Sequence, residues 1–311
     1  SRMPHEIQRF AHEAMATAFE VVVAGEEPRY AQQAADAAFA EIDAVERALS
    51  HYRESSDIAQ ISRAQPGNWV RVSTYTIECL ALAVRLAHDT HGAFDPTVGP
   101  LMACWRAKDG SPRNPSAEEL AGARARVGVD LLELDKTRLS VRVKGAGVSL
   151  DLGGIGKGYA LDKAAALLKE WDVENALLQS GGSTALAIGE GPDDRGWPVG
   201  VGGSGDSPTP LGRIRLRDAA LSGSGVQVRG HHIMDPRTGA PVMDRVDAWS
   251  YAKSAGEADA LSTAFMVMAP GETREYCRLH PDTKAMLLAA NTARPMLIGD
   301  WSIEAAKAEG S

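Results

Sequence analysis

A chain of 311 residues, 44% hydrophobic and 24% charged, has the composition of a folded globular protein rather than a disordered or fibrous one. Its 41 acidic against 33 basic residues give a formal charge of −8, and no Lys/Arg cluster offsets it, so a nucleic acid partner is not expected. A phosphate-bearing ligand would need a metal cation or backbone dipoles to offset that charge. No window approaches the ~18 consecutive apolar residues of a membrane span. Cys79, Cys104 and Cys277 are too scattered for a disulfide framework or a metal set and read as small buried residues.

In chain order, residues 1–14 read as an N-terminal extension, and Ser1-Arg2 before Met3 resembles an expression remnant. No basic region followed by an apolar stretch marks a signal peptide there, so the expected compartment is the cytoplasm, or the periplasm or a lipid anchor if a signal was trimmed. Met15 to Gly25 reads as a buried strand because Phe19, Val21, Val22 and Val23 are strand formers. Ala31, Ala34, Ala35, Ala38, Phe39, Ile42, Val45 and Leu49 recur at three- and four-residue steps, which predicts one long amphipathic helix ending near Ser50. A second helix is expected over Thr74–Thr90, a polar loop over Lys108–Pro115, and a capping box at Ser116-Ala117-Glu118-Glu119 opening a third helix. Leu139–Leu150 alternates around Gly145 and Gly147 and reads as a hairpin. Farther on, strands are expected at Asn175–Gln179, Trp197–Val201, Arg213–Leu216, Val246–Ala252 and Ala285–Ala289, with helices near Tyr159–Trp171 and Ala258–Met268. Strands and helices alternate irregularly, which gives a mixed α/β (α+β) fold class in one intertwined domain over 1–311.

Two nucleotide signatures fail. Gly200-Val201-Gly202-Gly203-Ser204-Gly205 fits G-x-G-x-x-G, but Pro208 and Pro210 forbid the helix that would hold a pyrophosphate. Gly156-Lys157 lacks the upstream Gly and following Ser/Thr of a P-loop, and no G-x-S-x-G elbow occurs. Asp151-Leu152-Gly153-Gly154-Ile155-Gly156-Lys157-Gly158 is more specific: a predicted strand runs into a predicted helix through four glycines, offering close backbone approach and unpaired N–H groups to an anion. A glycine-rich turn with a solvated Lys157 is the equal alternative. Asp259 and Thr263 lie four residues apart on one helix face, an oxygen set suited to Mg²⁺, although an Asp near a helix start is more often a dipole partner. His231-His232-Ile233-Met234-Asp235-Pro236-Arg237-Thr238-Gly239 forms a turn in which an imidazole could carry a proton or simply be structural.

Taken together, Met15-x-Thr17, Tyr52 with Ser56, GAFDPTVGPL (92–101), DLGGIGKGYALD (151–162), QSGGS (179–183), HHIMDPRTG (231–239) and ADALSTA (258–264) resemble the ApbE family in the family's order. The resemblance implies a single domain of two lobes with FAD in the cleft between them. It also implies a Mg²⁺-dependent FAD:protein FMN transferase that releases AMP and attaches FMN through a phosphoester to a Thr or Ser of a target protein. Carried over by position, Met15 and Tyr52 flank the flavin ring; Ala93, Phe94 and Asp95 line the adenine side; Asp151, Lys157 and Ile233 meet the cofactor. Gly154 (by its carbonyl), Asp259, Thr263 and Ser262 form the metal set, and His232 is the candidate for proton transfer. The chain departs from the family at Ala16, where Gly is usual, and at Leu221–Val226, which lacks an aromatic and bears on substrate recognition. Hydrolysis of FAD to FMN and AMP, and flavin binding without turnover, remain alternatives; intact Asp259 and Thr263 weigh against the latter.

Overall fold

Residues 6–107, 109, 111–202, 211–225, 233–292 and 294–305 are described by the structure, a computed structural model. The strand expected from Met15 is the second arm of a hairpin. Ile7–Ala14 (β1) and Thr17–Ala24 (β2) pair antiparallel, with Ala14 opposite Thr17 across Met15-Ala16. β1 escaped the pattern because it is an edge strand with polar residues on both sides, Arg9 and Glu13 on the exposed one and Gln8 and His12 on the other.

Pro28–Leu49 (α1) follows, then Asp57–Arg63 (α2), Trp69–Arg71 (β3), Thr74–Asp89 (α3), Gly99–Cys104 (α4) and Ala117–Arg124 (α5). The capping box read at Ser116 is formed: its Oγ accepts from Glu119 N–H, and the Glu119 carboxylate accepts from Ser116 N–H. Leu132–Asp135 (β4) and Ser140–Val143 (β5) make the next hairpin. The hairpin expected over Leu139–Leu150 therefore lies earlier in the chain. The residues after β5 are irregular, and Gly147 within them is left-handed at φ 76°, where a Cβ would meet the Arg126 side chain.

Gly156–Glu170 (α6), Ala176–Ser180 (β6), Thr184–Ile188 (β7), Trp197–Val201 (β8), Gly212–Leu216 (β9) and Ala220–Gly225 (β10) come next. Arg245–Ala252 (β11), Ala255–Val267 (α7), Pro270–Leu279 (α8), Lys284–Ala289 (β12), Met296–Ile298 (β13) and Glu304–Ala305 (β14) complete the order. The fold is mixed α/β.

The described residues fall into two compact units, one within 1–43, 157–231 and 243–311, the other within 44–156 and 232–242. The first is built on an eight-stranded antiparallel sheet ordered β1-β2-β6-β7-β10-β11-β12-β13. One face packs Val22, Leu177, Ala187, Leu221 and Trp249 against Trp197 and Ile214 of the small sheet β14-β9-β8. The other face carries α7, which lies on β10 and β11. With both faces covered, β2 buries Phe19 and, past the exposed Glu20, the continuous run Val21–Ala24, which explains its apolar reading. The second unit holds the sheet β3-β5-β4 and the helices α2–α5, with Leu101, Ala123 and Met234 forming a small core under Val98, Trp105 and Leu120. Cys79 and Cys277 are buried as expected, and Cys104 is half-buried; burial pushes the Cys277 thiol up to about 11.

Candidate functional site

In the second unit, two of the sequence motifs meet. The N–H of Asp151 donates to the Pro96 carbonyl at 2.8 Å, and Gly99 sits so close to Ser149 that a side chain there would overlap its Oγ. Ala93, Phe94 and Asp95 are buried. Asp95 Oδ1 accepts from the Thr97 N–H at 2.8 Å and from the Thr97 hydroxyl, while Thr97 Oγ1 accepts from Gly128 N–H at 2.7 Å. Burial outweighs these bonds and holds the Asp95 pKa above the usual carboxylate value. Asp151 Oδ1 accepts from the Gly153 N–H at 2.7 Å, a local turn that shapes the glycine segment around Gly154. Gly153 is exposed, while Asp151 and Gly154 are half-buried.

Tyr52 is 86% exposed and its ring lies 3.9 Å from that of His51. It is an aromatic plate on the surface, outside the hydrophobic core. His232 lies outside the described residues; Ile233, next to it, accepts from Val242 N–H at 2.7 Å. Asp235 begins the tight turn, accepting from Gly239 N–H at 2.8 Å and pairing with Arg237 at 3.1 Å.

In the first unit, Met15 and Ala16 form the two-residue hairpin loop at φ 50° and 57°, left-handed values that non-glycine residues rarely adopt. Gly181, also left-handed at φ 53°, donates to the Ala18 carbonyl at 2.8 Å, and a Cβ there would lie 2.8 Å from Thr17 Oγ1. The Met15–Thr17 and QSGGS motifs are thus neighbours.

The start of α6 meets the start of α7. Gly158 N–H donates to Asp259 Oδ2 at 3.0 Å, and a Cβ on Gly158 would overlap the Ala255 carbonyl. Asp259 is 3% exposed. Lys157, next to Gly158 in the first turn of α6, is half-buried. Below Asp259 runs a chain of hydroxyls. Thr184 and Ser222 are 2.9 Å apart, Ser222 and Ser262 3.4 Å, Ser262 and Ser224 2.8 Å, and Ser224 and Thr263 3.5 Å. Ser262, fully buried, also donates to the Asp259 carbonyl at 2.9 Å. Ser222 and Ser224 stand on the α7 face of β10, alternating with Leu221 on the opposite face.

Among the described residues no three His, Cys, Asp or Glu side chains converge as a metal cluster. A cation at Asp259 would therefore rest on one carboxylate with hydroxyl, carbonyl, phosphate or water oxygens. That hard-oxygen set fits Mg²⁺ and does not fit zinc. Sequence reasoning missed Gly158, Asp162, Thr184, Ser222 and Ser224 as parts of this arrangement. Asp162 left one signal, lying one helical turn beyond Gly158 on the same face of α6.

A model described as the ApbE family matches residues 15–287. The FAD:protein FMN transferase of Vibrio cholerae serotype O1 is 33% identical over 245 residues, 75% of this chain and 72% of that protein. The protein of the same name from Klebsiella pneumoniae is 27% identical over 282 residues, 85% of this chain and 79% of its own. The solved ApbE protein of Thermotoga maritima superimposes with a TM-score of 0.82 at 30% identity, covering 94% of this chain and 97% of that one. The flavin transferase ApbE from Vibrio cholerae gives 0.83 at 25% identity, covering 94% and 97%. No helix among the described residues is long and apolar enough to cross a membrane.

Proposed function

The chain belongs to the ApbE family, and from that premise we propose that it is a Mg²⁺-dependent FAD:protein FMN transferase. FAD is the donor substrate, and the acceptor is a Thr or Ser of a target protein. The acceptor oxygen attacks the FMN-side phosphorus of FAD. An O–P bond forms there, the bond from that phosphorus to the bridging oxygen breaks, and AMP leaves with that oxygen. The acceptor hydroxyl gives up its proton, and His232 is the group we assign to carry it. Mg²⁺, when bound, supplies positive charge to the pyrophosphate that this acidic chain otherwise lacks.

The chain's own residues do the positioning. Asp259 and Thr263 offer side-chain oxygens to the cation and Gly154 its carbonyl; Ser262, a further oxygen of the set, holds the Asp259 backbone carbonyl and reaches Thr263 through Ser224. Lys157 and Asp151 hold the cofactor, Met15 and Tyr52 flank the flavin ring, and Ala93, Phe94, Asp95 and Ile233 line the remainder. The observation that most supports this reading is the Gly158–Asp259 hydrogen bond, which joins the glycine motif to the carboxylate helix across 101 residues of sequence. The test is incubation with FAD, Mg²⁺ and Thr- or Ser-bearing acceptor proteins, read by mass spectrometry. An acceptor gaining the mass of FMN less water, with AMP released, is the expected outcome. Free FMN and AMP without any adduct would make the chain a hydrolase instead.

A further inference from the structure

Outside the residues assigned above, α6 carries one more carboxylate aimed at the same helix. Asp162 lies one turn beyond Gly158, so the two share a face of α6. Asp162 Oδ1 accepts from the Ala255 N–H at 2.7 Å and Oδ2 from the Gly256 N–H at 2.8 Å. These are the first two donors of α7, which the helix itself cannot satisfy. The next donor, Glu257 N–H, goes to the N-cap Ser254 at 3.2 Å. A carboxylate at that end also meets the positive pole of the helix.

The crossing is therefore held on both sides of one contact. At its centre the backbone of Gly158 touches that of Ala255, with no room for a side chain. On one side Asp162 grips the first turn of α7. On the other, one turn farther along α7, Asp259 Oδ2 is fixed by Gly158 N–H. A rotation or slide of α7 would have to break the Asp162 pair before it could move Asp259. We infer that Asp162 is a positioning residue that sets the angle of α7 on α6 and thereby aims the Asp259 carboxylate at the cation. This inference rests on the proposed metal role of Asp259.

The experiment is a Mn²⁺ titration of the full-length protein, at saturating FAD and without acceptor, read as free Mn²⁺ by electron paramagnetic resonance. Asp162→Asn keeps the size of the side chain but offers only one acceptor oxygen. It is expected to weaken Mn²⁺ binding by about ten- to a hundredfold, the usual effect of removing a group that orients a metal ligand. FAD affinity in EDTA is expected to stay within about threefold of the parent. Ser254→Ala serves as the control, since it loosens the same helix end without touching the crossing; its Mn²⁺ affinity should stay close to the parent's. If Asp162→Asn does not fold, Asp162→Glu, which keeps the charge but moves the carboxylate by one methylene, is read in its place and should also bind Mn²⁺ more weakly. A folded Asp162 variant with parental Mn²⁺ affinity, or equal losses in Asp162→Asn and Ser254→Ala, overturns the positioning role. A parent protein that binds no Mn²⁺ overturns the metal reading, and this inference with it.

Discussion

The N–H of Gly158 and the Oδ2 of Asp259 are 3.0 Å apart, and this bond exists only because residue 158 has no side chain. A Cβ there would overlap the Ala255 carbonyl and come within 2.8 Å of the Asp259 Cβ. Backbone cannot yield as a flexible side chain can, so Gly158→Ala must push α6 and α7 apart. Overpacking of this kind costs about 1–3 kcal/mol, or several degrees of melting temperature in a chain this size. The variant should therefore melt lower and lose transferase activity together. A parental melting temperature measured by calorimetry would show that the helices do not cross as closely as described.

Asp259→Ala separates charge from packing. The carboxylate is buried and holds the Gly158 N–H, so its loss leaves that donor without this acceptor. Its proposed task is to hold the cation that neutralises the pyrophosphate, which is worth several kcal/mol in the transition state. Turnover should fall by about a hundredfold or more, while FAD binding persists in part. The parent should lose activity in EDTA and regain it with Mg²⁺. Full FMN transfer by the Ala variant at millimolar Mg²⁺ would remove Asp259 from the metal set.

Sequence legibility followed physical cause. α1, α3 and β2 were readable because each buries a periodic or continuous apolar set, and α5 because Ser116 and Glu119 cap it locally. β10 was not, since its sequence ALSGSG contains few strand formers; its pairing to β7 and β11 and its hydroxyl bonds to α7 hold it as a strand. The hairpin at Met15-Ala16 carries no Asn or Gly to announce a turn, and β1 before it is half polar. At the site, the oxygen-bearing residues of α7 could be named from their spacing. Asp162 carried only its spacing from Gly158, which names no partner, because Ala255 and Gly256 lie 93 and 94 residues away.

Ala16 stands at φ 57° in a position where the hairpin favours glycine. A left-handed non-glycine residue costs about 1–2 kcal/mol, and glycine gives back about 0.4–1 kcal/mol through the freer unfolded chain. Ala16→Gly should therefore stabilise the protein slightly, by about 0–1.6 kcal/mol. Urea unfolding at neutral pH checks the sign; a destabilised variant would mean that the loop holds Ala16 without strain.

Tyr52 is the test of the flavin platform. Being 86% exposed and touching the His51 ring, it contributes little to the core. Tyr52→Ala should leave the melting temperature of the ligand-free protein unchanged. Stacking on an aromatic is worth about 1–3 kcal/mol per base in nucleic acid systems, so the same change should weaken FAD by about ten- to a hundredfold. Metal dependence should not move. Parental FAD affinity by fluorescence titration would make Tyr52 an ordinary surface residue.

Asp162 also sets a pH dependence whose sign is fixed. Burial raises its pKa from 3.8 to about 6, against the lowering effect of the Gly256 and Ala255 N–H groups, with Glu257 and Asp259 adding to the rise. A carboxyl group whose pKa is higher folded than unfolded favours the native state most when protonated. Its contribution is therefore complete below about pH 4 and is lost as the pH rises through about 6. At about 1.4 kcal/mol per unit, the change amounts to no more than about 3 kcal/mol, less whatever solvent screens. Unfolding free energies of the parent and of Asp162→Asn, measured by urea at pH 7, 6, 5 and 4, should draw apart in the parent's favour as the pH falls. Other acid-sensitive groups are common to both proteins and cancel in that difference. A difference that stays constant from pH 7 to pH 4 would mean that Asp162 titrates normally and is not desolvated at the helix crossing.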